Sequence, residues 1–352
     1  MSRSSLKTLQ AAAGNNSGGK TIAVCGGGDY VTIVDIKDPA NMTILGTLYN
    51  TAFSGIGYTG KGDDDRNLFF FNNWTNKTIA VCDISDPSNP VLLQNYYDSS
   101  AFSSSSFSCT LDTTRELLFV TASASNRVIC VDYSDPSDLS TVSTITSETQ
   151  LDWPGFMSID TINEVVYVPS LHDDTLTSID YSTPTSLSIL DEHYDASIFD
   201  QGRYTAIDVA NNIVYGAAQA SDSFVAFDVS NPSSISTLDY LASSTYFNSC
   251  TTIALDLEKN VAFLFSNTYG VSSIDISNPS NLSRLDSITD ALFTGGYYSA
   301  MEVDTEREIV FIKSGDSEDN LVALDYSDPS NLSILGSISN STTLAGRSLF
   351  IK

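Results

Sequence analysis

The eight residues VDIKDPAN at positions 34–41 recur along the chain with only small changes. The first Asp of each copy follows that of the copy before it by 47 to 50 residues. A period this regular over nearly the whole length indicates one supersecondary unit repeated seven times. The other copies are CDISDPSN (82–89), VDYSDPSD (131–138), IDYSTPTS (179–186), FDVSNPSS (227–234), IDISNPSN (274–281) and LDYSDPSN (324–331).

The unit between residues 202 and 241 contains four short strand-like runs, GRYTAIDVA, IVYGAAQ, FVAFDVS and ISTLDYL. Asn, Asp, Ser and Pro separate these runs, and β-branched and aromatic residues fill them, as is typical of antiparallel strands joined by tight turns. Four such strands per unit predict an all-β fold, a seven-bladed β-propeller with four-stranded antiparallel blades. The alternative, a β-solenoid, uses shorter coils and parallel strands and needs no Asx-Pro turn in every repeat.

The two ends of the repeat region differ in register. TIAVCGG (21–27) matches a second strand, whereas GRSLFIK (346–352) matches a first strand. We therefore predict that the C-terminal strand completes the first blade and closes the ring, which removes the exposed sheet edges. The propeller domain is predicted to span residues 21–352, and residues 1–20 form a docking segment and linker outside it.

The repeated eight-residue motif, called the phrase below, has a structural role in a turn. Pro fixes φ in a tight turn, and an Asp or Asn side chain can accept hydrogen bonds from nearby backbone N–H groups. Because all seven copies are equivalent, we assign these Asp residues to structure and not to catalysis.

The composition limits the function. Acidic residues outnumber basic ones 43 to 16, for a formal net charge of −27, and such a surface repels nucleic acid. No apolar run is long enough for membrane insertion. The five cysteines are odd in number and widely spaced, which favours buried thiols. The N-terminus lacks the apolar stretch of a signal peptide, which predicts synthesis and folding in a cytoplasm.

The innermost strands are where catalytic residues would be expected, because propeller enzymes place their active groups around the central channel. These strands read SGIGYTG, SFSCTLD, GFMSIDT, YTAIDVA, SCTTIALD, YSAMEVD and RSLFIK. Their channel ends offer Ser, Thr, Gly and Met, with no His and no converging metal ligands. The chain has two histidines and no G-x-S-x-G motif. We therefore predict no catalytic residues and a protein that is not an enzyme.

Two acidic turns are the candidates for a cation site. Clustered carboxylates with turn carbonyls suit Ca²⁺, although neither turn matches the loop pattern of a dedicated calcium site. A solvated acidic turn is the alternative, and no other cofactor is predicted. The candidate ligands are Asp63, Asp64 and Asp65 in one turn and Asp316, Glu318 and Asp319 in the other.

The connections between blades combine aromatic and polar residues. In a propeller these connections emerge on one face, where aromatic rings suit contact with protein or carbohydrate. The same rings could instead fill the gaps between blades, and the sequence leaves both readings open. The members predicted to be exposed are Tyr97, Phe102, Trp153 and Tyr194.

Two resemblances add expectations. The VDISDPSNP-type phrase resembles the LVIVD-repeat propellers, a resemblance that covers about residues 20–352 and implies the fold but no common chemistry. The segment LKTLQAAAGN (6–15) resembles the opening of virion and tail-fibre proteins of marine bacteriophages. It implies that Leu6, Leu9 and Gln10 dock the chain onto a virion.

Together these features predict a non-enzymatic binding or structural module on the virion surface, made in the host cytoplasm. Its partners would be other virion or surface proteins or host glycans. The alternatives are a cytoplasmic or cell-surface scaffold propeller and, as a third reading, a propeller enzyme of the lyase or lactonase type.

Overall fold

The computed structural model describes residues 19–53, 59–102, 106–292, 300–314 and 319–352. Within these ranges, twenty-eight strands form seven antiparallel sheets of four strands each. The predicted seven-bladed propeller is confirmed. No helix in the described ranges is long and apolar enough to cross a membrane.

The blades follow one another along the chain, each built from its innermost to its outermost strand. Blade 1 contains β28 (Ser348–Ile351), β1 (Ile22–Gly27), β2 (Tyr30–Asp35) and β3 (Thr43–Tyr49). Blade 2 contains β4 (Gly60–Asp63), β5 (Leu68–Asn73), β6 (Thr78–Asp83) and β7 (Val91–Tyr96). Blade 3 contains β8 (Ser106–Asp112), β9 (Leu117–Ala122), β10 (Arg127–Asp132) and β11 (Ser140–Thr146).

The remaining four blades repeat this order. Blade 4 contains β12 (Ser158–Asp160), β13 (Val165–Ser170), β14 (Thr175–Asp180) and β15 (Ser188–Tyr194). Blade 5 contains β16 (Gly202–Asp208), β17 (Ile213–Ala218), β18 (Ser223–Asp228) and β19 (Ser236–Ala242). Blade 6 contains β20 (Cys250–Asp256), β21 (Val261–Ser266), β22 (Gly270–Asp275) and β23 (Ser283–Ile288). Blade 7 contains β24 (Ala300–Asp304), β25 (Ile309–Lys313), β26 (Asn320–Asp325) and β27 (Ser333–Ser339).

The ring closes as the register of the ends predicts. Strand β28 pairs antiparallel with β1, with Ala23 opposite Ile351 and Gly26 opposite Ser348. At the end of this ladder the N–H of Ile22 donates to the carbonyl of Lys352 at 2.9 Å, and the reverse bond is also 2.9 Å. The last strand of the chain is therefore the innermost strand of the first blade.

The phrase Asp acts as a turn acceptor in every blade. Its Oδ1 accepts the backbone N–H two residues later, at 2.9 Å for Asp35 and 2.8 Å for Asp325. The same bond is made by Asp83, Asp132, Asp180, Asp228 and Asp275. In blades 4, 5 and 7 the carbonyl of the phrase Pro also accepts a Ser hydroxyl from the third or fourth strand of the preceding blade, which connects the two blades. This bond joins Ser178 Oγ to Pro232 and Ser273 Oγ to Pro329, each at 2.6 Å.

The apolar core is divided among the interfaces between blades. The described residues contain seven buried apolar clusters, one between each pair of neighbouring blades. No single sheet has a core of its own, because each cluster takes side chains from two blades. Burial therefore depends on the ring being complete.

Buried tyrosines reinforce three of these interfaces. The hydroxyl of Tyr133 in blade 3 donates to Oδ2 of Asp63 in blade 2 at 3.2 Å. Burial raises the pKa of Tyr133, and the Asp63 carboxylate raises it further, so the phenol stays protonated and can donate. Equivalent bonds join Tyr181 to Asp112 at 3.1 Å and Tyr326 to Asp256 at 2.9 Å.

Removal of the closing strand should prevent formation of the folded ring. A chain that ends at Ala345 lacks β28, which exposes β1 as a free edge and opens the clusters on both sides of blade 1. We expect this truncated protein to be insoluble or to melt without a cooperative transition, as measured by calorimetry. A soluble truncated protein with the melting curve of the full chain would contradict the closure.

Tyr133→Phe should destabilise the ring because it removes the hydroxyl that pairs with the buried Asp63 carboxylate. A hydrogen bond to a charged group contributes about 2 kcal/mol, and thermal or urea unfolding would measure the loss. Tyr167→Phe is the matched control, since the buried Tyr167 hydroxyl has no hydrogen-bond partner among the described residues. The control should be neutral or stabilising, and equal losses in both variants would refute the role of the bond.

Candidate active site

The inner strands form a layer of equivalent positions around the channel, each two residues before the last Asp of its strand. In blades 2 to 7 each of these residues lies opposite a buried aromatic residue of the second strand in the antiparallel register. Lys61 lies opposite Phe70, and Glu302 lies opposite Phe311. In chain order the positions in blades 2 to 7 are Lys61, Thr110, Ser158, Ala206, Ala254 and Glu302. Two of these six positions carry charge.

The two charged side chains meet across the channel. Lys61 Nζ lies 3.3 Å from Glu302 Oε1, although the residues are 241 apart in sequence. Both side chains remain accessible, with exposures of 35% and 26%. The Glu302 carboxylate raises the pKa of Lys61 well above its ordinary value and outweighs the opposing effect of burial, so Lys61 is a stable cation.

The ion pair lies on the wall of a cavity of about 310 Å³ in the channel. A cavity of this size accepts a small molecule, and the polar groups on its wall could orient one. The lining combines hydroxyls, a thiol and aromatic rings with an aliphatic part from blades 4 to 7. Its residues include Thr59, Ser108, Cys109, Thr110, Phe156, Met157, Ser158, Ile159, Tyr204, Ile207, Ile253, Leu255, Met301 and Val303.

Several of these polar groups are fixed by the protein itself. Thr59 donates its hydroxyl to Asn72 Oδ1 at 3.1 Å and accepts the backbone N–H of Cys109 at 2.9 Å. The ring of Tyr204 stacks on Phe156, with 5.2 Å between centroids. Burial raises the pKa of Tyr204 and raises that of Cys109 to about 11, so both groups are neutral near pH 7. Lys61 and Glu302 are thus the groups placed for acid–base or electrostatic chemistry.

The acidic turn of blade 2 is not assembled as predicted. Asp63 is the last residue of β4 and is buried, with its Oδ1 accepting the N–H of Arg66 at 3.2 Å and its Oδ2 accepting Tyr133. Asp64 pairs with Lys20 at 3.5 Å, and Asp65 is exposed. Asp63 therefore does not join the other two as a third cation ligand.

The second acidic turn is described only in part. Asp319 is half-buried, and Asp316 and Glu318 lie outside the described residues. Within the described part of the chain, no three His, Cys, Asp or Glu side chains come together in a group that could hold a metal ion. Binding of Ca²⁺ at this turn stays a prediction.

The four aromatic residues predicted to be exposed have different environments. Tyr97 and Tyr194 are exposed, at 52% and 64%. Trp153 is half-buried, with its ring 5.2 Å from His172 and 6.3 Å from Trp74. Phe102 is fully buried in the cluster between blades 2 and 3, so its predicted exposure was wrong.

Three other phenylalanines of the connections, Phe53, Phe199 and Phe247, are also buried between blades, so this part of the aromatic pattern fills gaps. Phe102 therefore does not share an exposed surface with Tyr97 and Tyr194. The predicted docking residues Leu6, Leu9 and Gln10 lie outside the described residues.

Comparison with known proteins agrees with the fold. A family model described as the LVIVD repeat matches residues 22–51, 74–98, 202–239 and 270–290, so the chain contains LVIVD repeats on a seven-bladed propeller. No curated protein matches the chain.

Solved structures share the architecture over nearly their whole length. A protein from Lactobacillus plantarum is 11% identical with a TM-score of 0.77, covering 95% of this chain and 99% of its own. The periplasmic gluconolactonase PpgL of Pseudomonas aeruginosa is 10% identical with a TM-score of 0.75, covering 94% and 98%. A protein of Bacteroides fragilis, provisionally named 6-phosphogluconolactonase, is 8% identical with a TM-score of 0.76, covering 96% and 99%. At these identities the similarity shows the fold alone.

The predicted virion-associated, non-enzymatic module is corrected by these observations. Proteins named as lactonases are among the structures with the same fold, whereas nothing in the comparisons supports a phage setting. The prediction also rested on a bare channel, and the channel holds a Lys–Glu ion pair. The sequence pattern predicts SGIGYTG (54–60) as the inner strand of blade 2 and Lys61 in the turn after it. The structure places β4 at Gly60–Asp63, so Lys61 lies within the strand, and this shift is why the pattern does not identify Lys61.

The thiols should be unreactive in the folded protein. All five cysteines are buried, and burial raises the pKa of Cys25 and Cys109 to about 11 and that of Cys130 and Cys250 to about 12. Because the thiolate is the nucleophile, fewer than about one thiol per chain should react with Ellman's reagent near pH 8. All five should react after denaturation, and rapid labelling of native Cys109 would show a more open cavity.

Proposed function

We propose that this protein hydrolyses a small sugar lactone in its central channel. The observation that carries the proposal is the Lys61–Glu302 pair, 3.3 Å apart on the wall of a cavity of about 310 Å³. The choice of a lactone is supported by the names of three propellers with this fold, one a gluconolactonase and two provisionally named 6-phosphogluconolactonases.

The pair differs from the other ion pairs of the ring. Arg66–Glu116, Arg115–Glu164 and Lys259–Glu308 recur at equivalent places between neighbouring blades, as expected of scaffold contacts. Lys61 and Glu302 instead come from blades 2 and 7, which are not neighbours, and they break the repeat at the channel layer. A departure from the repeat at an accessible cavity favours a functional role.

Each partner has a role in the hydrolysis. Glu302 accepts a proton from water as its oxygen attacks the lactone carbonyl carbon, and the Lys61 ammonium stabilises the negative charge that develops on the carbonyl oxygen. When the tetrahedral intermediate collapses, the ring C–O bond breaks and the leaving oxygen takes a proton from Glu302. The product is the open hydroxy acid, and the carboxylate of Glu302 is restored.

Two substitutions test this assignment on a panel of five- and six-membered sugar lactones. Glu302→Gln removes the base and should lower kcat/KM by about 10²- to 10⁴-fold. Lys61→Met removes the oxyanion partner and should lower it by about 10²- to 10³-fold. Release of acid, corrected for spontaneous hydrolysis, measures the rate.

The scaffold ion pairs provide matched controls. Glu164→Gln and Lys259→Met make the same chemical changes outside the cavity and should retain the rate of the unaltered protein. Hydrolysis of every lactone at the spontaneous rate, or full activity in both channel variants, would overturn the proposed function.

A further inference from the structure

The charge of the cavity limits what can bind there. Among its described lining residues, Lys61 and Glu302 are the groups charged at neutral pH, since Tyr204 and Cys109 keep their protons. Their charges are opposite and 3.3 Å apart, so the wall carries no net charge. A phosphate dianion placed here would lose its hydration without gaining an unpaired cation.

The charge of the whole chain acts in the same direction. The formal net charge is −27, so the long-range field slows the approach of any anion. A neutral molecule meets no such barrier. Both the local and the long-range electrostatics therefore disfavour an anionic ligand relative to a neutral one.

We propose that the cavity selects a neutral lactone without a phosphate group. This inference rests on the proposed function and names the substrate class within it. The aliphatic side chains from blades 4 to 7 cover the carbon atoms of the ring, and the ion pair faces the ester.

Calorimetric titration with gluconolactam and with its 6-phosphate tests the selectivity, because a lactam resists hydrolysis and separates binding from chemistry. The neutral lactam should bind at least about tenfold more tightly, a difference that unpaired burial of a charge readily produces. Glu302→Gln leaves the Lys61 charge uncancelled, so the preference should shrink or reverse. The phosphorylated lactam should gain affinity in this variant.

The outcomes are distinguishable. Equal or tighter binding of the phosphorylated lactam by the unaltered protein would overturn the selectivity and leave the proposed hydrolysis standing. If neither lactam binds and no lactone is hydrolysed, the proposed function itself fails, and the inference fails with it.

Discussion

The structure depends on the fact that no blade can bury its apolar faces alone. Each buried cluster lies between two sheets, and a four-stranded sheet outside the ring would expose both of its faces to water. An open row of seven blades would leave two such faces exposed. Joining β28 to β1 removes both, and the turn phrase and the Tyr–Asp bonds then fix the spacing of neighbouring blades.

The repeat distinguishes positions that maintain the fold from positions that could carry chemistry. Positions that recur, such as the phrase Asp residues and the Asp at the end of each inner strand in blades 2 to 7, satisfy backbone N–H groups in turns. The residue type can vary at the channel layer, two residues before each of those Asp residues, because the side chains there face the channel. Lys61 and Glu302 occupy this layer without changing the strands that hold them.

The period and the strand pattern predicted the fold, the order of strands and the closure, because turn chemistry and alternation are local properties. The ion pair was beyond such reasoning, since Glu302 lies in a correctly predicted strand but its partner is 241 residues away. A local error compounded this, because β4 continues to Asp63, which places Lys61 inside the strand and not after it. For Phe102 the repeat itself held the answer. An aromatic residue in a connection suggested an exposed face, but Phe102 occupies a place in the repeat similar to that of the buried Phe199 and Phe247.

The position of the ion pair relative to the closing strand β28 links the channel to ring closure. Lys61 belongs to blade 2 and Glu302 to blade 7, the two blades that flank the blade completed by β28. The contact between Lys61 and Glu302 therefore requires that blades 2 and 7 both lie beside blade 1 in the closed ring. Because blades 2 and 7 both pack against blade 1, the geometry of the channel pair depends on the docking of β28 on β1.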